Sequence, residues 1–229
     1  TIVDAVEEGR RIYDNILKAI EFLLSTNIGE LVVLFIAVIL NWVTPLLPVH
    51  ILWINLVTDS LPALALSVDP ADKDIMKRKP VDSNKPILNK KFSALLLTQG
   101  AMIGILALVA FRIGIYSSEA AGFSADETAA VARTMCFMVL AFAQLSHVFN
   151  IRSNSKSAFT TLFSNKMLLG AVALSAGLML IVAFVPALHD IFHIAHLSKV
   201  QWLWVVGLSI APLVIVELVK GIRSIFRRK

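Results

Sequence analysis

An all-α fold, a polytopic membrane bundle of six transmembrane helices with both termini cytoplasmic, is what this sequence predicts, and three observations carry it. Hydrophobic residues make up 57% of the chain against 16% charged, with a mean hydropathy of +0.78, a balance outside that of ordinary soluble domains. Met167 to Pro186 is a run of 20 residues without a charge, about the length that crosses a ~30 Å hydrocarbon core. Lys and Arg, finally, are sorted by the ends of the apolar stretches, not along one face. The net charge of +5 therefore reports topology, and no nucleic-acid partner is expected.

The first element is an amphipathic approach helix, Ile2 to Glu21, running into an apolar span from Phe22 to Trp42, the two forming one long helix half in water and half in lipid. Residues 1–21 are read as the end of a soluble domain with its stalk helix, and residues 22–229 as the six-helix membrane domain. A short turn, Val43 to Pro48, carries Pro45 and Pro48 and leads into a second span at about Val49 to Val68. Spans joined so tightly form an antiparallel hairpin. Asp69 to Lys91 is a polar loop with seven Lys or Arg against four Asp.

The third span, about Phe92 to Tyr116, contains Gly100 and Gly104, a GxxxG spacing that permits close helix contact. Ser117 to Ala130 is a short acidic connection. The fourth, fifth and sixth spans are placed at about Val131 to Phe149, Met167 to Pro186 and Gln201 to Val219. Eighteen Lys and Arg then fall on the side of the termini and three on the other, which puts both termini in the cytoplasm. Trp42, Trp53, Trp202 and Trp204 lie toward the outer half, as an aromatic belt. The single cysteine, Cys136, excludes an intrachain disulfide, and together with short outer loops it fits a bacterial plasma membrane. The chain opens in mid-helix without a methionine, which is read as a piece of something longer.

The second span, ILWINLVTDSLPALAL from Ile51 to Leu66, is apolar at both ends yet carries Asn55, Thr58 and Asp59 in its middle. Helical spacing puts these three on one face. Pro62 removes a backbone hydrogen bond from the carbonyl four residues back, that of Thr58. The first span has its own interruption, Ser25, Thr26, Asn27 and Glu30, with Asn27 and Glu30 sharing a face. In an antiparallel hairpin Glu30 and Asp59 both reach mid-membrane and can face each other.

A carboxylate at that depth costs a few kcal/mol, so a pair of them is too expensive to serve as helix glue; Ser25, Thr26 and Ser146, in contrast, suit ordinary interhelical hydrogen bonds. The fourth span adds Gln144, with Ser146 and His147 nearby. Asn27, Glu30, Asn55, Thr58, Asp59 and Gln144 supply up to eight side-chain oxygens and no sulfur. Such a set suits Ca2+, Mg2+ or alkali ions over zinc or copper, and calcium takes six to eight oxygens. His189, His193 and His196 have helical metal-ligand spacing but sit in an outer loop with Asp190, where a solvated role is expected. Glu217 is expected to pair with Lys220, and the basic tail Arg223 to Lys229 to anchor the inner side.

IVDAVEEGRRIYDNI running into STNIGE, followed by LLPVHILWINLVTDSLPALALSVDPADKDIM, resembles the P-type ATPases, and within them the calcium-transporting branch. The likeness covers nearly the whole chain, as that family's fifth to tenth membrane helices preceded by the last residues of its phosphorylation domain. It implies that Asn27, Glu30, Asn55, Thr58 and Asp59 hold transported Ca2+, that the loop Asp69 to Lys91 touches the phosphorylation domain, and that the approach helix transmits phosphorylation to the ion site. It also implies partners outside this chain: the phosphorylation, nucleotide-binding and actuator domains, the first four membrane helices, and ATP with Mg2+ bound there.

Two departures from the family pattern matter. The chain has no DKTGT and no nucleotide-binding region, so it holds no catalytic residue for ATP hydrolysis, and the carboxylate of the family's fourth helix is missing. Gln144 stands where pumps with two ion sites carry a glutamate, and the remaining charge suffices for one divalent ion, giving one calcium per cycle with proton return as the expectation. The residues by themselves also fit a free-standing six-helix channel or secondary carrier, or a pump for Mn2+, Mg2+ or a monovalent cation such as Na+.

Overall fold

The computed structural model describes residues 1–72, 74–78, 86–152, 158 and 162–227, with side chains to residue 222. Six helices are long and apolar enough to cross a membrane, and the described residues contain no strand. They are α1 (Ile2–Ile39), α2 (Pro48–Ser67), α3 (Lys90–Ala120), α4 (Ala125–Ile151), α5 (Lys166–Phe184) and, after a short α6 (Pro186–Phe192), α7 (Lys199–Arg227). The expected amphipathic approach and the first span are thus one uninterrupted helix of 38 residues. The part of the charge asymmetry that rests on Lys73, Lys79, Lys85, Lys156, Arg228 and Lys229, and the side chains of the basic tail, lie outside what is described.

Three of the helices begin where a side chain satisfies free backbone N–H groups. Asn89 caps α3 by accepting from Phe92 N at 3.0 Å, and Asn165 caps α5 by accepting from Leu168 N at 2.9 Å. Ser124 and Glu127 form a capping box at α4. That box starts the helix earlier than apolar periodicity suggests, so most of the expected loop Ser117 to Ala130 is helical and the turn shrinks to about Ala121 to Ser124. Pro186, expected inside the fifth span, instead opens α6, as proline does at a first helical position. His193 adopts φ 49° and ends α6, so His189, His193 and His196 do not share a helical face. His189 and His196 meet edge to face with ring centroids 5.0 Å apart.

The core is built around α4, whose Met135, Cys136, Phe137, Met138, Val139 and Leu140 are all fully buried. Helix α3 packs on both α4 and α1. Against α1 the GxxxG glycines are necessary: a Cβ on Gly100 would stand 2.5 Å from Ile28 and one on Gly104 would stand 2.7 Å from the Gly29 carbonyl. The two backbones touch at Gly29, the residue before Glu30, and this contact fixes where that turn lies. Gly104→Val is therefore expected to destabilise by about 1–3 kcal/mol through overpacking, read as a lowered thermal-unfolding midpoint. Gly170→Ala, where nothing stands within 4 Å, is expected to be neutral or to gain from helix propensity.

The end of the bundle carrying Asp69 and Arg152, here the basic end, is locked by one carboxylate. Asp69 is 2% exposed and accepts from Lys18 Nζ of α1 at 2.7 Å, from Arg152 Nε and Nη2 beyond α4 at 3.0 and 2.9 Å, and from Asn165 Nδ2 of α5 at 2.9 Å. Asn15 donates to the Asp69 and Ser67 carbonyls at 2.8 and 3.2 Å. One helical turn or more below, Arg10 donates to the carbonyls of Ile75 and Arg78 at 2.9 and 2.8 Å, and Arg78 pairs with Asp14 at 2.5 Å. The described residues after α2, as far as Arg78, are therefore strapped along the N-terminal half of α1. At the far end His50 contacts the Phe192 carbonyl at 2.6 Å and stacks on Phe137, while Trp42 and Tyr116 hold the Arg112 guanidinium between their rings.

Candidate cation-binding site

The second span is not a uniform α-helix. Ile54–Asp59, the segment with Asn55, Thr58 and Asp59, is π-helical, a widening that recurs at functional sites because it withdraws backbone and side-chain groups from the regular ladder. The residue five back from Pro62, the π spacing, is Val57, and its carbonyl accepts from Ser175 Oγ of α5 at 2.7 Å. The Asn55 carbonyl accepts from Ser60 Oγ at 2.8 Å. Two hydroxyl groups thus support a helix opened at its polar centre.

Opposite this segment α1 runs antiparallel in a fixed register. Thr26 Oγ1 donates to Asp59 Oδ2 at 2.9 Å, and Asn55 Nδ2 donates to Glu30 Oε2 at 3.2 Å, so each arm's carboxylate meets the other arm's polar residue. Glu30 and Asp59 are 4% and 1% exposed, near enough for their charges to interact. Gln144 of α4 closes the third side, being fully buried, accepting from Thr58 Oγ1 at 3.3 Å and neighbouring Glu30. Asp59 Oδ1 is buried and takes no hydrogen bond from the protein.

Of the six sequence-predicted residues, five converge: Glu30, Asn55, Thr58, Asp59 and Gln144. The sixth, Asn27, is half-buried and donates to the Leu23 carbonyl of its own helix at 2.7 Å, which leaves its side-chain oxygen as the group available to a ligand. Thr26, expected to act as helix glue, is the residue that orients Asp59; its place four residues before Glu30 was the available signal. Ser175 carried none, since a lone serine in an apolar span has no pattern.

Chemically, two buried carboxylates surrounded by amide and hydroxyl oxygens form a hard, partly negative pocket. The groups that meet Glu30 and Asp59 are amides and hydroxyls, with no sulfur among them, a donor set of the hard-cation kind. Two like charges in a buried site repel and are costly to desolvate. A divalent cation between them would offset the repulsion.

Comparison with known proteins agrees with this chemistry. Residues 43–222 match the family described as cation transporting ATPase, C-terminus. The chain is 44% identical to "Calcium-transporting ATPase 1" of Bacillus cereus, with 96% of the chain aligned to 26% of that protein. It is 40% identical to "Calcium-transporting ATPase" of Bacillus subtilis, over 93% of the chain and 23% of the relative. It is 32% identical to "Endoplasmic reticulum calcium ATPase srcA" of Aspergillus fumigatus, over 96% and 25% respectively. The chain thus spans about a quarter of the length of these relatives. With the family model covering most of its residues, the chain belongs to the cation-transporting ATPases, as their C-terminal membrane region.

Proposed function

We propose that this chain is the membrane cation-transport domain of an ATP-driven calcium pump, in which Asn27, Glu30, Asn55, Thr58, Asp59 and Gln144 hold Ca2+ near mid-membrane and release it on the side opposite the termini. The observation that carries the reading is the cross-paired register of Glu30 with Asn55 and Asp59 with Thr26 around a π-helical turn. The names of the relatives supply calcium as the ion. Residues 1–21 end the phosphorylation domain and form its stalk, residues 22–229 are the transport bundle, and both termini face the cytoplasm of a bacterial cell across its plasma membrane. ATP, Mg2+ and the phosphorylated aspartate belong to the remaining domains of the same pump.

A helix that is continuous from stalk to Glu30 cannot tilt at one end alone, so movement of the phosphorylation domain reaches the carboxylates through α1. Loading one Ca2+ sets two positive charges against Glu30, Asp59 and one carboxylate supplied by the fourth membrane helix; a second ion would leave uncompensated buried charge, which costs several kcal/mol. Proton return on the empty carboxylates balances the cycle.

Equilibrium binding of labelled calcium to the intact pump tests the stoichiometry: the expected result is one ion per phosphorylation site, and two would refute it. ATPase activity against a panel of Ca2+, Mn2+, Mg2+ and Na+ tests the ion. Calcium is expected to activate, and cation movement without ATP would favour a channel or carrier instead.

A further inference from the structure

Of the three cations that the sequence places at the far end of the bundle, Arg112, Arg133 and Lys199, the two arginines meet one turn of chain. Arg112 of α3 donates from Nη2 to the Tyr116 hydroxyl at 2.7 Å, with its guanidinium 4.9 and 4.7 Å from the ring centres of Trp42 and Tyr116. Arg133 of α4 donates from Nε to the Thr44 carbonyl at 2.9 Å. Trp42 and Thr44 belong to the same connection between α1 and α2, and that connection, Leu40 to Leu47, contains no acidic residue. Between the two arginines the helices touch: a Cβ on Gly114 would stand 2.7 Å from the Ala132 Cα, which brings the roots of both side chains together. Among the described residues neither guanidinium contacts a carboxylate; rings, one hydroxyl and one carbonyl are what they meet.

Arginine keeps its charge in any such setting, and its planar fork of five N–H donors matches the oxygens of a phosphate two at a time. Each of these two arginines uses one donor on the protein. Depth in the membrane narrows the choice of anion. The 31 residues of α3 span about 46 Å at 1.5 Å per residue, against ~30 Å for a hydrocarbon core. Arg112, eight residues before the end of that helix, therefore stands within reach of the level where lipid phosphates begin. Below it the same face is apolar: Ile105, Val109, Arg112 and Tyr116 follow one another at helical spacing, and Ile105 and Val109 are 51% and 40% exposed. An anion held at Arg112 thus sits above a greasy track that runs toward mid-membrane.

We propose that Arg112 and Arg133, framed by Trp42 and Tyr116, bind the phosphate of an anionic phospholipid in the leaflet at the far end of the bundle, with an acyl chain along Val109 and Ile105. Charge by itself would accept a free phosphate equally well. The apolar track on the same face of α3 selects the lipid, because only a lipid fills both parts. The connection these groups hold joins the two arms that carry Glu30 and Asp59, so the bound lipid braces the hinge of the cation site from outside. That consequence rests on the cation-site reading; the lipid site does not.

Native mass spectrometry of the intact pump, released from micelles that contain phosphatidylglycerol and phosphatidylcholine in equal amounts, tests the site. The unsubstituted pump is expected to retain phosphatidylglycerol in preference. Arg112→Gln and, independently, Arg133→Gln are each expected to weaken the tightest phosphatidylglycerol about fivefold, the contribution of one basic residue at an anionic surface, and to leave phosphatidylcholine unchanged. Arg112→Lys, the mildest change to the fold, keeps the charge but loses the stacked fork, and its affinity is expected to fall between those of the parent and Arg112→Gln. Lys199→Gln, which removes the third cation of that end at the start of α7, is expected to have no effect. Unaltered retention in the arginine variants overturns the proposal, as does an equal loss in Lys199→Gln, which would show attraction by net charge alone. Release of the phosphatidylglycerol by inorganic phosphate would make this a free-anion site and overturn the lipid. Ion binding judges the calcium reading separately, so a working calcium pump without this preference would refute the lipid site alone.

Discussion

Asp59→Asn in the intact pump is expected to abolish calcium-activated phosphorylation at calcium concentrations that saturate the unsubstituted protein. The substitution keeps the shape and the Thr26 contact at 2.9 Å but removes one of two carboxylates that are almost completely buried. Losing a buried, desolvated charge from an ion pair costs about 3 kcal/mol, or more than a hundredfold in affinity. Without calcium the sign reverses. An unpaired buried carboxylate is itself a penalty, so the ion-free variant should unfold at the same temperature as the parent or higher. Calcium titration of phosphorylation, with thermal unfolding in a chelator, reads the two effects on one preparation. Retained activity with unaltered ion dependence would remove Asp59 from the site, and Glu30→Gln is the matching control on the other arm.

Asp69→Ala is expected to do the opposite: a large loss of stability with Glu30, Asp59 and the polar groups around them left in place. Asp69 is the common acceptor for Lys18, Arg152 and Asn165, and Arg152 is itself only 8% exposed. Truncating the carboxylate removes the anion that Lys18 and the buried Arg152 share, and breaking a buried ion pair costs about 3–5 kcal/mol. For a chain of this size that lowers an unfolding midpoint by roughly 10 °C. A triple variant, Asp69→Leu with Lys18→Met and Arg152→Met, should recover much of the loss, because an apolar replacement of a whole buried ion cluster is often neutral. A shift under about 2 °C for Asp69→Ala would show that the cluster contributes no more than a surface pair does.

The helices were legible because their signal is compositional: runs such as Met167 to Pro186 leave no other fold open, and the six spans lie where apolar length places them. Carboxylates too were legible, since Glu30 and Asp59 are costly wherever they are not used. What composition does not encode is which groups meet across the chain. Nothing local to Asp69 announces Arg152, 83 positions away, and GxxxG at Gly100 and Gly104 names no partner until Gly29 is seen against it. The caps at Ser124 and Pro186 were in the sequence but were outweighed by hydropathy, which is why one connection was drawn too long and one span ran on past its end. The π turn was legible only in part: Pro62 and Ser60 lie beside it in the sequence, but Ser175, whose hydroxyl meets the Val57 carbonyl, comes from another helix.

That widened turn also shapes the surface on the reverse side of α2. An α-helix turns through about 100° per residue, so side chains four apart wind steadily around its axis; the wider turn rotates each residue less and cancels that drift. Leu52, Leu56 and Leu64, exposed at 69%, 62% and 60%, with Ser60 also exposed between them, consequently line up as a straight outward ridge. The same local geometry that gathers oxygen atoms inside keeps the greasy edge of the span from curling into its neighbours.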